Sequence, residues 1–464
     1  MLLKSSLVLA GVLCLQAAYA ESYVVSPDGS GDFPTIQGAI YAAHDGDVVI
    51  LTDGIFVGDG NRDLDYSGKA IAIRSESDNP ENCILDCGGS AGDPHRGVRF
   101  VSNETRESVF RGITIRNGWA QGVDIADYSG GAILCDHASS SIENCIFRGN
   151  SAHAGGAVML CRWADPAILD CLFEGNHAYV YNGSGGLCVC LSSDGTIENC
   201  IFRANDPVGM TSGSDSDPVI RNCEFSGHSQ YGLICDGSSF YGRILVDNCR
   251  FFDNLGPAML SVGPAVTVSD CSFWNNRASR GGALWLERDA DIRFINSLFF
   301  DNWADETAAA VWCRYAGIAH FENCTFVGNG LPSGGSVIDC GPATVTMANC
   351  IIAFSSGCQA VGGPAELLCS DIYGNSGGDW VGDIADQYGV SGNISEDPLF
   401  CDPDNSDFSL DADSPCAPFS PPNPECDLIG SEPVACGGPT ACEDQHSGGT
   451  TWGEVKALFR GDAK

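Results

Sequence analysis

Apolar residues recur along this chain at a spacing of two, and seldom at the three and four of a helix. One pattern carries this spacing through the middle of the sequence. Asn or Asp is followed by Cys, any residue and Phe, with Asn three positions after the Phe. It reads Asn144-Cys145-Ile146-Phe147 with Asn150, then Asp170-Cys171-Leu172-Phe173 with Asn176. Further copies begin at Asn199, Asn222, Asn248, Asp270, Asn296 and Asn323, and a degenerate one at Asn349. Ser297 stands where the other copies have Cys. Successive copies lie 22 to 29 residues apart. Half a repeat away, Gly-Gly-Ala opens short runs at Gly130, Gly155 and Gly281, with the variant Gly334-Gly335-Ser336.

Strand geometry turns this pattern into a fold. Residues two apart point to the same face of a strand, so each Cys and its Phe share one side. Stacking the copies at about 4.8 Å per step gives a column of Phe in the interior and a column of Cys beside it. The leading Asn or Asp falls at the bend between strands. Left-handed backbone is tolerated there, and in register these residues make a ladder along one edge. Repeats of this length that bury a face only against their neighbours are solenoids. The expected fold is all-β: a right-handed parallel β-helix of roughly a dozen coils with a short N-terminal capping helix.

The ends break the pattern. Lys4, the apolar run from Leu7 to Ala18 and Ala18-Tyr19-Ala20 read as a signal peptide over residues 1–20, implying export. Residues 21–46 read as the N-terminal cap, with a short helix from Asp32 to Ile40 and Pro34 near its start. Residues 47–375 are the expected β-helix, 376–436 a cysteine-containing C-terminal cap, and 437–464 a linker and short tail.

Composition narrows the partners. With 23 Lys+Arg against 60 Asp+Glu, the net charge is −37. That disfavours nucleic acid and anionic membranes, and disfavours polyanionic sugars unless calcium bridges them. No segment after the leader is apolar enough to span a membrane. Without Cys14 the chain keeps 24 of its 25 cysteines, an even number in an exported protein. The repeat cysteines line up one per coil, which does not suit a metal that needs ligands converging on a point. They are expected to be mostly free thiols. Cys401, Cys416, Cys426 and Cys436 lie in loop-rich sequence and are expected to be paired.

The opening from Asp32 to Ile40 with Gly46-Asp47-Val48-Val49-Ile50 resembles the start of pectin-lyase-like β-helix proteins. The Gly-Gly-Ala and Phe-x-x-Asn pairs resemble repeats of polymorphic outer-membrane proteins. The resemblance covers roughly residues 23 to 430. It implies the fold, while the superfamily's functions range over lyases, hydrolases, epimerases and non-catalytic adhesins. Polymorphic outer-membrane proteins end in a barrel, and too few residues follow Cys436 here to form its strands.

No catalytic constellation stands out. Asp93-Pro94-His95-Arg96 resembles the Asp-Pro-His core of mannuronan epimerases, with Arg96 where an acidic residue is expected. Asp59, Asn61, Asp63 and Asp65 alternate as in calcium loops, but the twelfth position is Ala70. Asp402, Asp404 and Asp407 repeat the idea more weakly, so calcium is at most a weak possibility and no other cofactor is expected. Arg162-Trp163, Arg314-Tyr315 and Arg288 leave their coils at similar places in a chain poor in basic residues. Arg beside an exposed aromatic can stack on sugar rings and bond hydroxyls, or can simply cover loop surface. The expected function is a secreted or surface-associated, non-catalytic protein that binds glycans or other surface ligands. The alternative is a polysaccharide lyase, epimerase or hydrolase.

Overall fold

The computed structural model describes residues 20–437 except 181–182, 214, 237–242, 264, 289, 316 and 333. Apart from Ala20 and Gly437, the expected leader and the linker with its tail lie outside these residues. The chain winds through three long parallel sheets of 14, 13 and 12 strands, here called A, B and C. One coil shows the path: Ser141–Glu143 in sheet A, Ile146–Arg148 in B, Val158–Cys161 in C, then Ala167–Leu169 back in A. Among the described residues no helix is long and apolar enough to cross a membrane.

The Phe column forms as the spacing demands. Phe147, Phe173, Phe202, Phe225, Phe251, Phe273, Phe299 and Phe326 are register partners on successive sheet-B strands and are fully buried. Ring centroids of neighbours lie 4.5–4.9 Å apart. At the A–B bend every repeat Asn or Asp is left-handed, with φ from 47° at Asn144 to 55° at Asp170 and Asn199. The Cys that follows turns inward and stays a free thiol in each coil. Cys249 and Cys271 each receive a backbone N–H from the coil before, as in Cys249 N to Cys271 Sγ at 3.3 Å. Ser297 continues the same contact with its hydroxyl.

The Asn after each Phe builds a second ladder, at the B–C turn and inside the protein. Asn150 donates to Asn176, Asn176 to Asn205, Asn254 to Asn276, Asn276 to Asn302 and Asn302 to Asn329, all at 2.8–3.0 Å. Each ladder amide also donates to a carbonyl one coil back, for example Asn276 Nδ2 to Phe251 O at 2.9 Å. A side-chain amide supplies both the donor and the acceptor that such a ladder needs. His228 takes one rung, with Nδ1 3.1 Å from Asn205 N. Gly209 makes room for the ring, because a Cβ there would come within 2.5 Å of Nε2.

Burial pushes the His228 pKa down to about 4. The unfolded chain, near the ordinary 6.5, therefore binds the proton more tightly than the folded one. The stability that neutral His228 contributes is whole above pH 6.5 and declines as pH falls toward 4. His228→Asn should flatten that decline. Melting temperatures of both proteins between pH 7 and 4 measure it, and parallel curves would remove His228 as the cause.

Both ends differ from expectation. Ser22–Val25 is already the first rung of sheet A, paired in parallel with Val48–Leu51. The solenoid thus begins inside the segment read as a cap, and helix α1 (Ile36–Ala42) lies between these two rungs in sequence. Thr35 caps α1, its Oγ1 accepting from Gly38 N at 3.2 Å. At the other end, the 3-10 helix Gly382–Gln387 closes the last coil. Gln387 bonds Leu367 N and Ala365 O of the edge strand, which blunts it against further pairing. Residues 397–436 do not continue the closure. They fold back over the outer face of sheet B, where Phe408 meets Phe300 at 5.2 Å and Asn323 donates to Leu428 O.

The disulfides correct the cysteine reading. Cys401 pairs with Cys436, but Cys426 pairs with Cys369. Cys416 is a buried free thiol, 3.2 Å from the Asp371 carboxylate. The cause is a shift in the repeat. In the last coil Cys369 occupies the left-handed bend position, φ 46°, and Ser370 the inward one. A bend side chain faces outward, so Cys369 meets the folded-back segment there. Burial pushes Asp371 up to about 7, and the Cys416 thiol serves as its donor.

Candidate functional site

The residues expected to bind ligand do share one edge. Arg162 and Trp163 follow strand Val158–Cys161, Arg288 follows Leu284–Glu287, and Arg314 and Tyr315 follow Val311–Cys313, all at the C–A turn. They are not one site. Five steps of sheet C separate Arg162 from Arg288, about 24 Å. Two guanidinium groups are engaged: Arg162 with Asp136 at 2.8 Å and Arg314 with Glu287 at 2.9 Å. Arg288 and Arg314 sit on neighbouring rungs, where Arg314 lies over Tyr315 and Arg280 over Trp312.

A broad concavity lies on the opposite edge, at the B–C turns of the early coils. Most of these turns are short. The one at residues 117–132 is long and carries helix α2 (Ile125–Tyr128). Arg96 pins it, donating to Ala126 O at 2.9 Å and Asp127 O at 2.6 Å. Ile125 and Ala126 of α2 rest on Leu134, Met159, Cys161 and Cys188 of the outer face of sheet C. The insertion thereby holds Trp119 against Tyr179 of a later turn, ring centroids 5.0 Å apart. Tyr128 packs on His153 at 5.0 Å, and His177 meets the edge of Tyr179 at 4.7 Å. The Trp119, Tyr128, His153 and Tyr179 rings line an open cleft of about 510 Å³.

A second cleft of about 240 Å³ adjoins it and shares Trp119, Gln121 and Gly122. Here the Asp93-Pro94-His95-Arg96 segment acquires geometry. His95 Nδ1 lies 2.5 Å from Asp63 Oδ2, and Nε2 lies 3.3 Å from Asp93 Oδ1. Asp63 also accepts from Arg96 N at 2.9 Å, so one carboxylate orients both residues. Burial and the neighbouring Arg99 lower the Arg96 pKa to about 10, and its donors serve the α2 backbone, so Arg96 holds the loop. Arg99 lines the same cleft, and its Nε is enclosed without a hydrogen-bond partner.

The segment read as a calcium loop is divided among separate tasks. Asp59 pairs with Arg62, Asp63 with His95, and Asp65 accepts from Ser67 N. Among the described residues no group of three or more acidic, His or Cys side chains is arranged to hold a metal ion. Trp119, Tyr128 and Tyr179 went unnoticed in the sequence because they lie outside the repeat. The usable signal was the longer interval between Asn117 and Gly130, where the neighbouring turns are compact.

Comparison with known proteins follows the fold. The family model described as right handed beta helix region matches residues 96–263, 130–299 and 242–376. No curated protein sequence matches the chain. Among solved structures, the catalytic unit of a thermostable GH87 α-1,3-glucanase from Streptomyces thermodiastaticus is similar at 13% identity and TM-score 0.53, covering 82% of this chain and 71% of that one. The Streptococcus pneumoniae surface protein and adhesin PfbA is similar at 11% identity and TM-score 0.42, covering 78% and 95%. The A-module of the Azotobacter vinelandii mannuronan C-5 epimerase AlgE6 is similar at 18% identity and TM-score 0.40, covering 78% and 93%. At these identities the likeness concerns the fold.

Proposed function

The chain belongs to the right-handed β-helix family, and on that scaffold we propose that it is an exported protein that binds glycans in the aromatic cleft of the B–C edge. The observation that carries this reading is the Trp119–Tyr179 pair, held by the α2 insertion beside an open cavity. Sugar rings present C–H faces that pack on aromatic faces, while their hydroxyls seek planar polar groups. Gln121, Tyr128, His153 and Arg99 supply such groups along the two clefts. The two disulfides suit an oxidising compartment.

Trp119→Ala with Tyr179→Ala should weaken binding to a retained glycan by about 100-fold, the loss of two stacking contacts of about 1.4 kcal/mol each. Trp163→Ala with Tyr315→Ala, at the other edge, should leave affinity within about twofold. Raising salt should change little, because stacking is not screened. Glycan-array capture followed by calorimetry checks all three. The reverse pattern would move the site to the C–A edge.

One observation favours a catalytic reading as well. His95 stands between two carboxylates at the edge of the cleft, with a fifth of its side chain exposed. Asp63 on Nδ1 fixes the ring's orientation, as a proton-transferring His requires. Release of new reducing ends or unsaturated products from a bound glycan, lost in His95→Gln, would establish turnover. Binding without product formation leaves the cleft a binding site.

A further inference from the structure

The thiols outside the interior column form a group of their own. Cys161 and Cys188 lie on neighbouring strands of sheet C, Val158–Cys161 and Ser184–Val189, and Cys190 directly follows the second. The register pairs Met159 with Cys188 and Leu160 with Val189, which sets Cys190 opposite Cys161. Cys190 N donates to Leu160 O at 3.0 Å, so the ladder continues to that pair. Alternation decides the faces. Leu160 and Val189 point into the solenoid core, whereas Met159, Cys161, Cys188 and Cys190 share the outer cluster beneath α2. Register neighbours in a parallel sheet are about 4.8 Å apart. That is inside the Cα range of about 4.4–6.8 Å that a disulfide spans.

Access separates this group from the rest. Of the free cysteines among the described residues, Cys190 alone is not buried. The interior thiols stack at the same rung spacing but meet no solvent. Cys190 also has the electrostatics of a nucleophile. The hydrogen bond from Cys188 and the charge of Arg162 both lower its pKa, and Arg162 is fixed in place by Asp136. Burial pushes Cys161 up to about 12, so it stays protonated and does not react with an external disulfide by itself.

We propose that Cys190 and Cys161 are a thiol–disulfide exchange site, at which a small-molecule disulfide converts the pair into a third intrachain disulfide. The Cys190 thiolate attacks one sulfur of the disulfide RSSR. Its S–S bond breaks, one RS⁻ leaves, and a mixed disulfide forms on Cys190. Cys161 then gives up its proton to solvent and attacks the Cys190 sulfur, expelling the second RS⁻. The protein loses two protons and two electrons, and RSSR takes them up to become two RSH. The new bond ties together the two strands on which Ile125 and Ala126 of α2 rest. Oxidation is therefore felt at the foot of the insertion that carries Trp119.

The test uses the folded, purified protein and oxidised glutathione. A maleimide without denaturant should label one cysteine, Cys190. Prior exposure to oxidised glutathione should abolish that label and lower the mass by two hydrogens. Non-reducing peptide mapping should then find Cys161 linked to Cys190. Cys161→Ser should instead keep a stable glutathione adduct on Cys190. Isolation of the protein with this link already formed supports the proposal equally. A lasting adduct on Cys190 in the unaltered protein, a Cys188–Cys190 link, or labelling of interior thiols as fast as Cys190 would overturn it.

Discussion

Phe251→Ala is expected to destabilise the solenoid by about 3–5 kcal/mol. The ring is fully buried and stacks on Phe225 and Phe273, each 4.8 Å away with planes within 5°. Its removal forfeits the burial of one aromatic side chain and leaves a gap in a column that cannot close. The rungs above and below are fixed by backbone ladders, and collapse would require breaking them. Urea unfolding followed by far-UV circular dichroism measures the loss. A change below about 1 kcal/mol would place the ring outside the load of the core.

Asn276→Ala should be at least comparable, costing about 3 kcal/mol or more, although it removes far less apolar surface. The Asn276 side chain accepts from Asn254 N and Nδ2 and donates to Phe251 O and Asn302 Oδ1. Alanine would leave Asn254 N and one N–H of Asn254 Nδ2 without an acceptor, and take one donor from Phe251 O, all inside the protein. Each buried unmade bond costs about 1–3 kcal/mol. The damage should be local as well as deep. Coils interact only with neighbours, so the weakened rung should let the solenoid open on one side of it before the other. Circular dichroism and proteolysis midpoints should then separate. Coincident midpoints with a loss under 1 kcal/mol would show that the ladder tolerates a gap.

Much of the solenoid was legible because its signals are local and repeated. The Phe at every repeat had to face inward, and the leading Asn or Asp had to bend, since strand alternation and left-handed tolerance act within a few residues. The Asn after each Phe was equally visible, yet its role was not. Whether that amide faces solvent or its neighbours depends on how tightly the B–C turns stack. His228 makes the same point, since its place in the ladder relies on Gly209 from the previous coil.

The cleft was legible only in fragments. Asp93, His95 and Arg96 were noticed as a segment, but Asp63 was read as part of a calcium loop. The rise of one rung brings Asp63 to His95 across 32 positions of sequence. The arginines at Arg162, Arg288 and Arg314 were correctly placed on one edge, because they occupy equivalent turn positions. Their separation along the axis and their carboxylate partners needed the count of coils between them.

By itself the sequence determined the winding: the strand period, the residues inside, the bends, and the free thiols of the interior column. Those features depend on alternation and on nearest neighbours in a repeat. Tertiary structure alone decided everything built from departures from the repeat. The start of the sheet at Ser22, the fold-back of residues 397–436, the Cys369–Cys426 bond, the aromatic cleft under α2 and the pairing of Cys161 with Cys190 are all of this kind. Each joins segments with no shared period, and only the packing of one coil or loop on another sets which of them meet.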